Sequence, residues 1–303
     1  MPADLVPPGQ SGTATEGPVL VVGAGWIGSE VATSLGRAGV AVVATTRSGT
    51  WRGSEPAPSA VVLRRLDLLR DDDATCASAF TGMRTAVACL APGGEQDRRA
   101  LYVDGARRFA EGCVAAGLVR AVWCSSTSAL PSVDGPVDEE CTTEPDGERG
   151  RVQRDAEDAF RETCERAGTP WVILRLAGLY GPGRELSRVY RLARRAGDTT
   201  GGTPAEHVLP GDGLEPTNLV HRDDVVAAVV AALRLDASVS TLVHVVDDDH
   251  ATRRDLVSRL AAKIGVPAPR WEREGAGSRG KRVTSRRLAD VLGVRLAHPR
   301  HTP

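Results

Sequence analysis

The stretch VLVVGAGWIG, residues 19–28, decides the fold of this chain. It places Gly23, Gly25 and Gly28 in a GxGxxG pattern directly after four apolar residues. In such a pattern the first glycine permits a tight turn, the second lets the backbone approach a pyrophosphate, and the third lets a helix pack closely on the strand. The first N–H groups of that helix would point at the phosphates. The stretch therefore predicts a strand, a dinucleotide-binding turn and a helix.

Working outward from this turn, short apolar runs alternate with helical patterns. The predicted strands are Val19–Val22, Ala41–Thr45, Ala60–Leu63, Thr85–Leu90, Ala121–Ser125 and Trp171–Leu176, with a later one in TLVHVVDD, residues 241–248. The predicted helices lie near Ile27–Ala38, Ala74–Phe80, Arg98–Ala116, Arg151–Ala167 and Arg253–Ile264. Strands that are apolar throughout fit burial on both faces. The pattern predicts an α/β chain with a Rossmann-type, doubly wound parallel sheet.

Three regions follow from this pattern. Residues 1–17 are rich in Pro, Gly, Ser and Thr and are predicted to be a disordered tail. Residues 18–180 form the dinucleotide-binding core, and residues 181–303 are predicted to complete the core and to form a small C-terminal substrate lobe. Within the last region, residues 217–235 read as a strand followed by a helix whose first turn carries two aspartates, as the helix dipole favours.

Composition limits the partners. The chain has 303 residues, a hydrophobic fraction of 41% and a formal net charge of -1, so no basic field indicates nucleic acid or an acidic membrane. No apolar run approaches the roughly 20 residues that span a bilayer. Six cysteines without a CxxC pair predict reduced thiols in a cytoplasmic protein, and six histidines without paired ligand spacing predict no metal site. A small-molecule substrate is expected, and monomer and homodimer both remain open.

The end of the second strand bears on the choice of cofactor. It reads Ala44-Thr-Thr-Arg-Ser48, without the acid that would bind a ribose 2′-hydroxyl. Thr46 and Ser48 can donate hydrogen bonds, and Arg47 can bind a 2′-phosphate with two N–H groups. This favours NADP(H) over NAD(H), although Arg47 could also be one more surface arginine. Asp67, after the third strand, could accept a bond from the adenine or cap a helix.

Further cofactor contacts are expected beside the glycine turn and at the end of the fourth strand. In the turn the two residues between the second and third glycines face the pyrophosphate, and the residues that end strand four are small enough for close backbone approach. These five positions are Trp26, Ile27, Leu90, Ala91 and Pro92.

Taken together, six segments resemble the extended short-chain dehydrogenase/reductases, the NAD(P)-dependent epimerase/dehydratase group, and most closely an atypical branch of it. The segments are VLVVGAGWIG, CLAPGG, VWCSSTSAL, the helix following GERGRVQRDAE, WVILRLAGLYGPGR and NLVHRDDVVAAVVAAL. The segments ATTRS and GKRVTSRRLADVLG look closest to the atypical branch. The resemblance implies that six residues line a nicotinamide pocket and that three others have a structural role. The pocket residues are Ser125, Ser126, Thr127, Ala177, Gly178 and Leu179, and the structural ones are His221, Asp223 and Asp224.

One departure from that family matters for mechanism. The family places a Tyr-x-x-x-Lys pair on the helix after the Ser/Thr strand, and the matching positions here are Gly150 and Arg154. The only tyrosines are Tyr102, Tyr180 and Tyr190, and the only lysines are Lys263 and Lys281, so no such pair exists in the chain. The scarcity of lysine removes a catalytic option, and another group must move the proton.

Four residues are candidates for the lost proton relay. Arg154 could bind ribose hydroxyls or an anionic oxygen, or be a solvated helix charge, but it cannot donate a proton at neutral pH. Ser126 and Thr127 could relay a proton or bond a substrate carbonyl. Tyr180, in the loop after the sixth strand, is the leading phenol, with packing in its turn as the alternative.

Two residues are predicted to face the substrate. His207 lies in the variable segment after the core, and its ordinary pKa suits acid–base work. Arg184 could bind an anionic substrate group or a cofactor phosphate.

Three functions are compatible with these residues. The first is an NADP(H)-dependent oxidoreductase acting on a small or medium carbonyl or alcohol substrate. The second is a redox-neutral epimerase, dehydratase, lyase or cyclase of a specialised biosynthetic pathway. The third is a non-catalytic NADP-binding sensor or regulatory protein, which would need the cofactor frame and no proton donor.

Overall fold

Seven parallel strands form the central sheet of the computed structural model, which describes residues 17–93, 97–190, 208–273 and 280–298. The strands of the chain are β1 (Val19–Val22), β2 (Val42–Thr46), β3 (Val61–Arg65), β4 (Thr85–Ala88), β5 (Arg120–Ser126), β6 (Gly135–Val137), β7 (Trp171–Leu176), β8 (Gly178–Tyr180), β9 (Val208–Leu209), β10 (Leu219–His221), β11 (Thr241–Val245), β12 (Arg270–Trp271) and β13 (Lys281–Val283). The sheet order is β11-β7-β5-β4-β1-β2-β3. The predicted doubly wound α/β fold is confirmed.

Helices cover both faces of this sheet. They are α1 (Gly28–Arg37), α2 (Asp73–Phe80), α3 (Gly105–Ala115), α4 (Glu148–Ala167), α5 (Leu186–Val189), α6 (Arg222–Arg234), α7 (Arg253–Lys263) and α8 (Arg287–Asp290). Helices α1 and α6 pack on one face, and α2, α3 and α4 pack on the other. The strand order reverses between β1 and β4, which places a crevice at the carboxyl ends of these strands, where ligands bind in such sheets.

The core differs between the two faces. The face under α1 and α6 is aliphatic, whereas the opposite face holds an aromatic cluster of Phe80, Phe109, Trp123 and Phe160, all fully buried. Their ring centroids lie 5.8 to 6.2 Å apart, the spacing at which aromatic pairs attract. The cluster packs α3 and α4 against β5, and it thereby fixes the position of α4 along β5.

Three small parallel strand pairs lie outside the main sheet: β8 with β10, β9 with β12, and β6 with β13. The last pair matters for function, because it brings the chain around residue 281 back to the segment that follows β5. Within the described ranges, no helix is long and apolar enough to cross a membrane.

Most predicted boundaries hold to within three residues, and two departures from them have local causes. The fourth strand ends at Ala88 rather than Leu90, because the chain leaves the sheet for the cofactor loop. The helix after it passes through a π-helical turn, Ala100–Asp104, before α3. The predicted tail up to residue 16 and His207 lie outside the described residues.

Candidate active site

The glycine turn after β1 has the geometry of a phosphate cradle. Gly23 has φ +86°, and a Cβ there would lie 2.7 Å from the carbonyl oxygen of Cys89. A Cβ on Gly28 would strike the carbonyl oxygen of Gly23, so α1 requires glycine to approach β1. A Cβ on Gly25 would meet nothing within 4 Å, so this position opens onto free space. The turn therefore offers the room and the helix N-terminus that a pyrophosphate needs.

The end of β2 reaches across to the loop that follows β4. Arg47 is exposed, and a Cβ on Gly93 would lie 2.7 Å from its Nη2 atom. Thr46 Oγ1 donates to the carbonyl of Thr50 at 3.2 Å, and Ser48 Oγ accepts from the N–H of Thr50 at 3.3 Å. These hydroxyls shape the turn that presents Arg47, and no carboxylate among the described residues pairs with its guanidinium.

Asp67 has a different role from the helix cap considered above. It is buried, and its Oδ1 atom accepts from the N–H of Leu69 at 3.1 Å, within a local turn. The residue that caps α2 is Asp72, whose carboxylate accepts from the N–H of Thr75 at 2.7 Å. The helix-cap alternative for Asp67 is therefore wrong, because α2 begins six residues further on.

Trp26 joins the glycine turn to the loop after β8. Its indole N–H donates to the carbonyl of Pro182 at 2.9 Å. The guanidinium carbon of Arg184 lies 4.4 Å from the centroid of the Trp26 ring, and that of Arg222 lies 5.6 Å from it. Cations at these distances are attracted to the ring face. Arg184 thus lies against the cofactor turn, which agrees better with a cofactor phosphate than with a substrate group as its partner.

The segment after β5 carries Ser126 and Thr127 at the carboxyl edge of the sheet. Ser126 Oγ accepts from the N–H of Ser128 at 3.2 Å, at the start of a short 3-10 turn, and Thr127 is buried. Arg154 Nη2 donates to the carbonyls of Ala129 at 3.1 Å and Thr143 at 3.3 Å. Arg154 is therefore a structural cation of this turn rather than a solvated helix charge.

The structure also shows why no tyrosine occupies position 150. A Cβ on Gly150 would lie 2.6 Å from the carbonyl oxygen of Ser128 and 2.6 Å from Cβ of Pro145. Helix α4 approaches the turn too closely for any side chain here. A side chain at position 150 would therefore require the turn or Pro145 to shift.

A lysine lies at this turn after all. Lys281 Nζ donates to the carbonyls of Thr127 at 3.0 Å and Leu130 at 2.9 Å. Pairing of β13 with β6 brings it there, and Asn218 secures the strand by bonding the carbonyl of Lys281 at 2.9 Å and the N–H of Val283 at 2.7 Å. Sequence reasoning did not place Lys281 at this turn, because the residue is more than 150 positions from β5 in sequence and sheet pairing closes that distance. The rarity of lysine, which occurs at two positions, was the only feature of the sequence that drew attention to Lys281.

Beneath the turn lies a buried ion pair that sequence reasoning missed. Arg175 and Glu157, 2% and 3% exposed, meet at 2.7 Å. Glu157 Oε1 also accepts from Ser125 Oγ at 2.6 Å. The hydroxyl of Ser125 is thus used inside this network, which leaves its backbone for any contact with a cofactor. The pair ties α4 to β5 and β7 directly below the carboxyl edge.

Tyr180 is half-buried beside the same edge. Its ring meets that of His221 edge-on, with centroids 5.1 Å apart, and the aliphatic side chains of Leu186, Leu256 and Leu260 pack nearby. Burial, followed by the charge of Asp247, raises the pKa of the Tyr180 phenol. A phenol shifted in this direction is a weaker acid at neutral pH than an ordinary tyrosine.

The start of α6 is held by structural contacts, as expected for this region. His221 Nδ1 accepts from the N–H of Asp223 at 3.2 Å and caps the helix. Asp224, 2% exposed, accepts from the N–H groups of Ala297 at 2.7 Å and His298 at 3.1 Å. The rings of His221 and His298 stack at 3.8 Å. Although ligand atoms of His221, Asp223 and His298 lie within 4.8 Å of one another, stacked rings do not converge on one ion, since imidazoles bind metals in the ring plane.

The three residues after β7 complete the edge. Ala177 is buried, and its N–H donates to the carbonyl of Val245 at 3.1 Å. Gly178 is exposed, and its N–H donates to the carbonyl of Asn218 at 2.9 Å. Leu179 is partly buried between these strands. All three lie on the edge that also carries Ser126 and the glycine turn, as a nicotinamide pocket requires.

Comparison with known proteins agrees with this geometry. The sequence profile described as the NAD dependent epimerase/dehydratase family matches residues 19–245. Protein YeeZ of Escherichia coli strain K12 is 27% identical over 93% of this chain and 96% of its own length. A 2′-dehydrokanamycin reductase of Streptomyces kanamyceticus is 31% identical over 50% of this chain and 43% of its own length.

A solved structure shows the same arrangement. MoeE5 in complex with UDP-glucuronic acid and NAD superposes with a TM-score of 0.75 at 26% identity, over 92% of this chain and 94% of that one. The fold, the glycine turn and the match over residues 19–245 lead to one conclusion. The chain belongs to the NAD dependent epimerase/dehydratase family of enzymes, in the extended short-chain dehydrogenase/reductase group.

Proposed function

We propose that this chain is an NADP(H)-dependent oxidoreductase that interconverts a carbonyl and an alcohol on a small or medium substrate. The observation that carries the proposal is the cation at the end of β2. Arg47 replaces the acid that would repel a 2′-phosphate, lies beside Gly93 of the β4 loop, and has no carboxylate partner among the described residues. Two relatives named as reductases, a 2′-dehydrokanamycin reductase and a 3-diazoavenalumate denitrifying reductase, support reductive chemistry.

The chain's own residues would hold the cofactor along the carboxyl edge. The N–H groups at the start of α1 would face the pyrophosphate, and Gly25 leaves room for it. Arg184, stacked on Trp26, supplies a cation beside that pyrophosphate. Ala177 to Leu179 would contact the nicotinamide amide. When bound, the cofactor supplies a hydride.

The substrate carbonyl would lie over the turn after β5. The hydroxyls of Ser126 and Thr127 are the donors closest in sequence to the strand end, and hydrogen bonds to the carbonyl oxygen stabilise the charge that develops there. The turn is rigid because Arg154 and Lys281 hold its carbonyls. His207, as a substrate-facing residue, remains part of this proposal.

A redox-neutral reaction is the second candidate. The observation that favours it is the structural likeness to MoeE5, whose complex contains a nucleotide sugar and NAD. A redox-neutral enzyme would bind its cofactor and turn over without net change in the amount of reduced nicotinamide. That outcome separates it from the oxidoreductase.

Parallel calorimetric titrations with NADPH and NADH test the proposal. We expect NADPH to bind more tightly, and Arg47→Ala to weaken NADPH binding about 10- to 100-fold, the equivalent of one lost charge-assisted contact. Arg107→Ala is the matched control, because Arg107 is an exposed arginine on α3 whose ion pair, with Asp104 at 3.5 Å, lies far from β2 in sequence.

The NADH affinity should change little in either variant, since NADH lacks the 2′-phosphate. Equal affinity of the wild-type protein for both nucleotides, or an Arg47→Ala variant that still prefers NADPH, would contradict the assignment of NADP(H). A protein that binds NADPH tightly and converts no substrate would instead support the role of a sensor.

A further inference from the structure

Lys281 contacts the turn that carries the hydroxyls proposed above to bind the substrate. Its ammonium group donates to the carbonyl of Thr127 at 3.0 Å and to that of Leu130 at 2.9 Å. An ammonium group has three N–H donors, and these two bonds leave one for another acceptor. The side chain is partly buried, so the third donor does not simply belong to bulk water.

Other groups at the turn are poorer proton donors. Arg154 bonds Ala129 on the same turn, but a guanidinium does not release its proton at neutral pH. Hydroxyls such as Ser126 and Thr127 are weak acids on their own. The phenol of Tyr180 has its pKa raised by burial. Among the described residues that contact this turn through a side-chain cation, Lys281 is the one with an exchangeable acidic proton.

We propose that Lys281 is the general acid of this site and replaces the missing Tyr-x-x-x-Lys pair, an inference that rests on the reductase function proposed above. When a hydride adds to the carbonyl carbon, the π electron pair of the C=O bond moves to oxygen. The third N–H of Lys281 protonates that oxygen, so an O–H bond forms as an N–H bond breaks. The neutral amine then regains a proton from water, and the product is the alcohol.

The charges around Lys281 come from several elements. Burial lowers the pKa of its ammonium group, Asp146 before α4 and Cys141 after β6 oppose this change, and Arg175 on β7 adds to it. Arg154 on α4 holds the same turn. A pKa lowered from the ordinary value moves the amine closer to the working pH, where a general acid is most efficient. Catalysis of reduction should therefore be lost as the pH rises through the pKa of Lys281.

Two matched substitutions test the proposal. Lys281→Arg keeps a cation with enough donors for both carbonyls, but it cannot release a proton. Lys263→Arg is the control, because Lys263 is the only other lysine and lies exposed at the end of α7. We expect Lys281→Arg to lower kcat about 100-fold or more with an unchanged melting temperature and unchanged affinity for NADPH, and to abolish the alkaline limb of the pH profile. Lys263→Arg should match the wild type.

A second readout follows the titration of the Lys281 ammonium group directly. With only two lysines, isotope-labelled lysine should give two side-chain signals in NMR, the Lys263→Arg variant identifies the signal of Lys281, and the pKa of Lys281 should lie below the ordinary lysine value. The NMR pKa should coincide with the alkaline limb of kcat in the wild-type enzyme. A Lys281 pKa at or above the ordinary lysine value would overturn the proposal.

Two kinetic results for Lys281→Arg would also overturn the proposal. Lys281→Arg with kcat and pH profile like the wild type would show that only the positive charge is needed. A raised KM with unchanged kcat would assign Lys281 to substrate binding instead. If the wild type neither binds NADPH nor reduces any carbonyl, the proposed function itself fails. This result is distinct from failure of the Lys281 proposal, because it is seen in the wild type before any variants are compared.

Discussion

Removal of the Glu157 charge should destabilise the protein severely, although the substitution Glu157→Gln preserves the shape of the side chain. Glu157 receives bonds from Arg175 at 2.9, 3.2 and 2.7 Å and from Ser125 at 2.6 Å, and both ionic partners are almost fully buried. Without the carboxylate, the guanidinium stays charged with no counter-ion in a medium of low dielectric. Breaking a buried pair in this way costs about 3–5 kcal/mol.

A control on the same helix isolates the effect of burial. Asp155 pairs with Arg99 at 2.7 Å, but these side chains are 41% and 63% exposed, so Asp155→Asn should cost no more than about 1 kcal/mol. We would measure the free energy of unfolding of the wild type and both variants in urea. The double variant Glu157→Leu with Arg175→Met should recover part of the loss, because it leaves no unpaired charge.

The reasoning would be refuted if Glu157→Gln and Asp155→Asn destabilised the protein equally. A double variant less stable than Glu157→Gln would also contradict it, since that would assign the stability to the side chains' packing and not to the charge balance.

The remaining predictions concern the cofactor, the acid and the pH dependence of stability. Gly25→Ala should leave the melting temperature unchanged and weaken NADPH binding at least about tenfold, because its methyl group enters the open space proposed for the pyrophosphate. Gly28→Ala should lower both the melting temperature and the affinity for NADPH, because its methyl group strikes the backbone of Gly23. Equal effects of the two substitutions would contradict the cradle geometry. Tyr180→Phe should keep kcat within about threefold of the wild type, and a loss of about 100-fold would identify Tyr180 as the acid instead of Lys281. Burial lowers the pKa of His244, so on acidification the unfolded chain takes up a proton at this residue before the folded protein does. The contribution of neutral His244 to the free energy of unfolding is therefore complete above about pH 6.5 and is lost as the pH falls below that value. His244→Asn should flatten that acid-side loss in urea unfolding, and an unchanged slope would exclude His244 as its source.

The sequence allowed the sheet and the glycine turn to be predicted because their signals are local. The strand VLVV, its three glycines and the helix that follows form one contiguous unit, and β1 and β7 were found with the bounds that the structure shows. Arg47 could likewise be placed from its position at the end of β2. Local patterns of burial and backbone geometry determine all of these features.

The proton-transfer site could not be predicted in the same way, because it depends on pairings between distant segments. Lys281 reaches Thr127 through the pairing of β13 with β6, and three-residue strands carry too little periodicity to be read from sequence. The Arg175–Glu157 pair joins a strand to a helix across the core. Arg175 lies in a strand that otherwise reads as apolar, and such a buried charge was the one signal that could have indicated a partner.

Rapid mixing of the NADPH-loaded protein with a panel of carbonyl compounds, followed by the absorbance of the reduced nicotinamide, tests the central claim most directly. The account predicts that at least one carbonyl causes a stoichiometric loss of that absorbance together with formation of the alcohol. Conversion of a substrate with no net change in absorbance would contradict it and would establish a redox-neutral enzyme.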